Sequence, residues 1–157
     1  MSHTSLSHLT NLKTMLQVVV KLIRHANLQN KASVQLIQYY IFSRLDSDDK
    51  SRFSMLALYT EFCLRMQDNQ YFDTLKDLIE EEVANNPLSA SQLNLVVGLL
   101  RKVAKCQTTE YSTKFIDLLQ GILGLLNRPV SELSVDEKRL LENCIGMLKD
   151  MVEDQVL

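Results

Sequence analysis

The sequence predicts an all-α chain of about seven helices, and three observations carry that prediction. Apolar residues recur at three- and four-residue steps along most of the 157 residues, and only four glycines and two prolines interrupt them. Two helix-start signatures, Ser89-Ala90-Ser91-Gln92 and Ser134-Val135-Asp136-Glu137, each open an apolar run. A meander of strands would need turn glycines at intervals of roughly 8–12 residues, and these are missing.

The first helix is expected from about Leu6 to Ala26, on Leu9, Leu12, Met15, Leu16, Val19, Leu22 and Ile23, with Ser7 or Thr10 as cap. Val18 and Val20 widen its apolar face. Asn27 to Asn30 reads as a polar turn. A second helix spans roughly Lys31 to Leu45 on Val34, Leu36, Ile37, Tyr40, Ile41 and Leu45, so the pair forms an antiparallel hairpin. Asp46 to Asp49 supplies turn residues and an anionic first turn, which a helix dipole favours. The third helix then carries Phe53, Met55, Leu56, Leu58, Tyr59, Phe62, Cys63 and Met66 and is expected to be deeply buried. After a polar break at Gln67 to Gln70, the fourth places Tyr71, Phe72, Leu75, Leu78, Ile79 and Val83 inward. Asn85-Asn86-Pro87 stops it, because the residue before proline is pushed out of the helical region.

The Ser89 start opens the fifth helix, which runs through Leu93, Val96, Val97, Leu100 and Val103 to Cys106. The sixth, about Glu110 to Leu126, is nearly apolar all round in its second half and is expected to be central. Gly121 and Gly124 each cost about 1 kcal/mol inside a helix, so close approach of a neighbouring backbone is the expected reason for them. A short turn at Val130 to Leu133 leads to the last helix, Val135 to about Val156.

These elements read as three hairpins, 6–45, 48–85 and 89–126, and a closing helix, 135–156, in one domain spanning 1–157. Each hairpin is about 40 residues, the period of HEAT and armadillo repeats. The expected architecture is therefore a right-handed superhelical stack, carried by period alone and not by repeated residues. A compact orthogonal bundle of seven helices is the alternative.

Hydrophobic residues make up 46% and charged residues 23% of the chain, which excludes the disordered and coiled-coil extremes. A formal net charge of −2 gives no broad attraction for nucleic acid or anionic membranes. Cys63, Cys106 and Cys144 are odd in number and set among apolar residues. They read as free thiols of an intracellular protein, cytoplasmic or nuclear. Met1 to Ser7 lack signal-peptide character, and no apolar run approaches the roughly 20 residues of a membrane span. An end in Gln155-Val156-Leu157 directly after a helix suggests a domain taken from a longer chain.

No catalytic, metal or cofactor signature is present. His3, His8 and His25 lack zinc-ligand spacing, and the cysteines lack a partner histidine. Among Asp77, Glu80, Glu81 and Glu82 only Asp77 and Glu81 share a helix face, which reads as a solvated acidic surface or as half of a contact with a basic peptide. Gly121-Ile122-Leu123-Gly124 matches the letters of a nucleic-acid clamp loop but lacks basic neighbours. Arg101, Lys102 and Lys105, with Lys114 across a turn, form the best anion patch.

The expected function is a non-enzymatic protein-interaction scaffold or adaptor. Its groove, lined by the second helices of the hairpins, receives a helix or short linear segment of a partner. Tyr39, Tyr40, Arg44, Tyr71, Lys76, Tyr111 and Lys114 are the candidate groove residues. Two alternatives remain. One is a homodimerisation domain of a larger regulatory protein, using Val18 to Val20, Leu119 to Leu126, Met147, Met151, Val156 and Leu157. The other is a helical scaffold in RNA or translation regulation. Neither a membrane nor a small-molecule substrate is expected as a partner.

Overall fold

The computed structural model describes residues 2–47, 52–85, 88–106 and 109–156, with side chains described for 14–46, 52–84, 88–105 and 115–151. Among the described residues the chain is all-helical, with seven α-helices, one 3-10 turn and no strand. The helices are α1 Ser2–His25, α2 Lys31–Ser47, α3 Arg52–Met66, α4 Asn69–Asn85, α5 Ala90–Cys106, α6 Thr109–Gly124 and α7 Val135–Val156, and the 3-10 turn is Val130–Glu132. The proposed anionic start at Asp48 and Asp49 lies outside the described residues. Helix α1 begins earlier than expected, so Ser7 and Thr10 fall inside it rather than at its cap.

Side chains set most of the boundaries. Both capping boxes form. The Ser89 amide donates to Gln92 Oε1 at 2.9 Å and the Gln92 amide to Ser89 Oγ at 3.3 Å; the Ser134 amide donates to Glu137 Oε1 and the Glu137 amide to Ser134 Oγ, each at 3.1 Å. Two further caps lie in stretches that read only as polar turns. Asn30 Oδ1 accepts from the Ala32 amide at the start of α2, and Asp68 Oδ1 from the Gln70 amide at the start of α4, both at 2.9 Å. Helix α3 ends where Gln67 takes φ 56°, the left-handed region that glycine normally fills, while its amide still reaches Cys63 O. Helix α6 stops at Gly124 because the next two amides, of Leu125 and Leu126, tighten onto the carbonyls of Ile122 and Leu123.

The chain divides into two compact units, Met1–Phe72 and Asp73–Leu157, and the division falls within α4. In the first unit, α1, α2 and α3 pack mutually. Helix α3 is indeed deeply buried, through Met55, Leu56, Leu58, Tyr59, Thr60, Phe62 and Cys63. Aromatic contacts run from Phe42 to Tyr59, on to Phe62 and then to Tyr71, with centroids 5.3, 5.7 and 5.0 Å apart. The last turns of α1 and α3 lie side by side. Arg24 forks onto Glu61 at 3.1 and 3.2 Å, and Arg65 donates to the carbonyls of Arg24 and Ala26 at 2.8 Å each, satisfying the open end of α1. Their C-termini therefore sit together, and the two helices run the same way.

In the second unit α5, α6 and α7 pack mutually, most extensively α5 on α7. Asn94 donates to Asp136 O and accepts from Asn143 Nδ2 at 2.7 Å, while further along Arg101 Nε meets Asp150 Oδ2 at 2.8 Å. Contacts ascend on both helices, so α5 and α7 are parallel. The most extensive contact joins α5 and α7, so α6, expected to be central, is the least engaged of the three. Helix α6 buries Phe115, Leu118, Leu119 and Ile122 on one face and leaves Gly121 and Gly124 exposed on the other; just past its end Leu126 is buried and Leu125 exposed. The expectation that a neighbouring backbone explains Gly121 and Gly124 is therefore corrected: a Cβ at either would meet nothing within 4 Å. The close approach belongs to Gly146 on α7, where a Cβ would stand 3.0 Å from an Arg101 guanidinium nitrogen.

Candidate functional site

The second unit carries a furrow made of two adjoining hollows. The larger, of ≈ 760 Å³, opens where the N-termini of α5 and α7 meet the end of α6; Leu93, Leu126 and Leu140 form its base, and Ser89, Ser134 and Asp136 are among its rim residues. The smaller, of ≈ 290 Å³, lies between α4 and α6, on Glu80, Val83, Ala84, Asp117, Leu118 and Gly121. Val83 and Ala84 line both, so the hollows adjoin. Along the furrow, Glu80, Ala84 and Leu88 on one side accompany Asp117, Gly121 and Leu125 on the other, so α4 and α6 flank it running in the same direction. The four-residue step from Asp117 to Gly121 keeps both on one face of α6, and Leu125 follows just past its end. Leu125, 59% exposed, stands at the mouth.

Among the described residues, every ionisable side chain lining the furrow is a carboxylate: Glu80, Asp117, Asp136 and Glu137. Lys76 Nζ meets Glu80 at 2.7 Å and its ammonium is held above the ordinary lysine range by that hydrogen bond; Arg128 pairs with Glu137.

In the first unit a separate hollow of ≈ 490 Å³ is lined by Leu28, Lys31, Val34, Gln38, Met66 and Tyr71, among others. Of the residues singled out from sequence, Tyr71 is half-buried there, its ring edge against Phe62 and its carbonyl accepting from Cys63 Sγ at 3.4 Å. Tyr39 is 74% exposed on α2, whereas Tyr40, 6% exposed, is held in the core with the Arg44 guanidinium 6.0 Å from its ring centre. Lys76 sits beside the α4–α6 furrow through its pairing with Glu80. The side chains of Tyr111 and Lys114 lie outside those described. In the anion patch, Lys102 and Lys105 are exposed, but Arg101 is bound to Asp150. That hydrogen bond holds the Asp150 carboxyl below the usual carboxylate range.

Burial pushes the Cys63 thiol far up and the Cys144 thiol up to about 11, so neither is a ready thiolate at neutral pH. The side chain of Cys106 lies outside those described. Among the described residues, no three His, Cys, Asp or Glu side chains group as metal ligands, and no helix is long and apolar enough to cross a membrane. Met147 and Met151, offered from sequence as part of a self-association surface, are buried because their side of α7 joins the core.

The furrow was missed in the sequence because it depends on which helices α4 and α6 leave uncovered. The one available signal was the pair of interior glycines with no turn to explain them. Compared with known proteins, the chain matches no protein-family model, no curated protein and no solved structure.

Proposed function

We propose that this protein is a non-enzymatic interaction module of stacked helical hairpins, HEAT- or armadillo-like within each unit, that holds a helix or short linear segment of a partner protein. The observation that carries the reading is the furrow of adjoining hollows along α4 and α6, apolar at its base, open to solvent and flanked by the small residues Ala84 and Gly121. The same-direction pairs α1 with α3 and α5 with α7 support the stacked arrangement, since consecutive hairpins place their equivalent helices in parallel.

Selection of a displayed peptide library on the monomeric protein tests the reading. One peptide family should be enriched, and Ala84→Trp, which fills the furrow, should abolish its binding without loss of helicity. A library that enriches nothing, or peptides that hold the variant as tightly as the wild type, refutes it.

A second reading, self-association, is favoured by one observation. Leu125, Val130 and Val135, at 59%, 59% and 74% exposed, stand close in sequence around the α6 to α7 connection. Light scattering coupled to size-exclusion chromatography should then give twice 18.0 kDa on dilution, and Val135→Asp should return the monomer.

A further inference from the structure

Resting on the interaction reading above, we propose that the furrow between α4 and α6 receives a basic, apolar-anchored helical segment of a partner protein. Charge complementarity commits the sign of the occupant. Among the described residues the four ionisable groups lining the furrow are all carboxylates; Lys76 is paired with Glu80 and also feels the charge of Asp117, and Arg128 is paired with Glu137, which leaves the carboxylates in excess. Asp117 and Asp136 carry no salt bridge among the described residues, and they lie toward opposite ends of the furrow. Asp77 and Glu81, exposed on α4 beside Glu80, extend the negative field. An acidic segment meets a net excess of like charge, whereas lysine or arginine flanks meet carboxylates at both ends.

Shape commits the occupant to a narrow, regular segment. From Asp117 to Leu125 the furrow follows α6 for about 12 Å, roughly two turns of a docked helix. At its middle Gly121 weakens α6 relative to alanine and returns nothing within the chain, since no atom stands within 4 Å of where a Cβ would be. With Ala84 opposite, it leaves two backbones bare enough for a third to lie between them. Leu118 and Val83 below, and Leu125 at the mouth, supply the apolar contacts that fix register.

The test uses the full chain labelled with 15N and three synthetic amphipathic peptides of about 14 residues. They share leucine and alanine on one face and carry lysine, glutamine or glutamate on the other. The lysine peptide should shift the amides of 80–84 and 117–125 and bind at least about tenfold tighter than the glutamine peptide at low salt, the gap narrowing as salt rises. Gly121→Leu should weaken it by about tenfold or more, while Gly98→Leu, on α5 and outside the furrow, should not; circular dichroism checks that both fold. Equal affinity for lysine and glutamate peptides, shifts elsewhere, or an unaffected Gly121→Leu overturns the proposal. A glutamine peptide that binds the furrow as tightly overturns the basic partner and leaves the interaction reading standing, whereas three peptides that leave the furrow unshifted overturn both. Concentration-dependent furrow shifts without peptide assign it to a second copy instead and overturn the proposal.

Discussion

Gly98→Ala should raise the stability of the second unit by about 0.8–1 kcal/mol, and Gly146→Ala should not. Gly98 sits mid-way along α5, exposed, with no atom within 4 Å of an added Cβ. The substitution therefore meets no steric cost and removes the entropic penalty of glycine in a helix interior, about 0.8–1.0 kcal/mol. For a chain of this size about 1 kcal/mol corresponds to roughly 2–4 °C in Tm. Gly146 has the same helical propensity to gain, but its Cβ would come 3.0 Å from one Arg101 guanidinium nitrogen and 3.2 Å from the other. Arg101 is held by Asp150 at 2.8 Å, so it can retreat only by loosening that pair, which cancels the gain. Thermal and urea unfolding of both variants, followed by circular dichroism, would read the difference. A Gly98→Ala protein less stable than wild type refutes the reasoning, because it would mean that something covers the outer face of α5.

Gln67→Gly should stabilise by about 0.5–1 kcal/mol in urea unfolding, since it relieves a left-handed non-glycine residue at the end of α3 at the cost of one exposed hydrogen bond to Leu64 O. Ser134→Ala should cost about 1 kcal/mol and fray the start of α7, seen as faster amide exchange at Glu137. The Asp150 carboxyl is lowered by its hydrogen bond from Arg101, so its contribution is present above the unfolded value of about 3.9 and is lost as pH falls through the folded one. Asp150→Asn should flatten that part of the acid limb of the stability profile. Cys144 has the opposite sign: raised to about 11, it loses its contribution as pH climbs from about 8.5 toward 11, and Cys144→Ala should lessen that alkaline decline.

Local chemistry was legible in the sequence wherever the deciding groups lie a few residues apart. Ser89 with Gln92 and Ser134 with Glu137 announce their helices because each box closes within one turn. The apolar spacing likewise placed Tyr59, Phe62 and Phe72 in the interior. Tyr40 lies on the apolar stripe of α2 and is in the core as that stripe implies, so it fails as a groove residue beside the exposed Tyr39. What distant segments decide was not legible. Leu125 looked like part of an all-round apolar helix, but α6 ends at Gly124 and Leu125, one residue beyond it, is exposed. Gly121, Gly124 and Gly146 look alike as letters. Only Arg101, reaching from another helix, distinguishes the last.

The parallel pairing of α5 with α7 also sets an order of events for the chain. Two parallel helices cannot be joined by a tight turn, so α6 must be traversed before α7 can reach its partner, and the most extensive helix contact of the second unit joins segments far apart in sequence. Such contacts are slow to form because the intervening loop must close before they reward it. During synthesis the face of α5 that α7 covers stays bare until α7 has emerged. The second unit is thus completed only once α7 has been made, whereas the first unit precedes it in the chain.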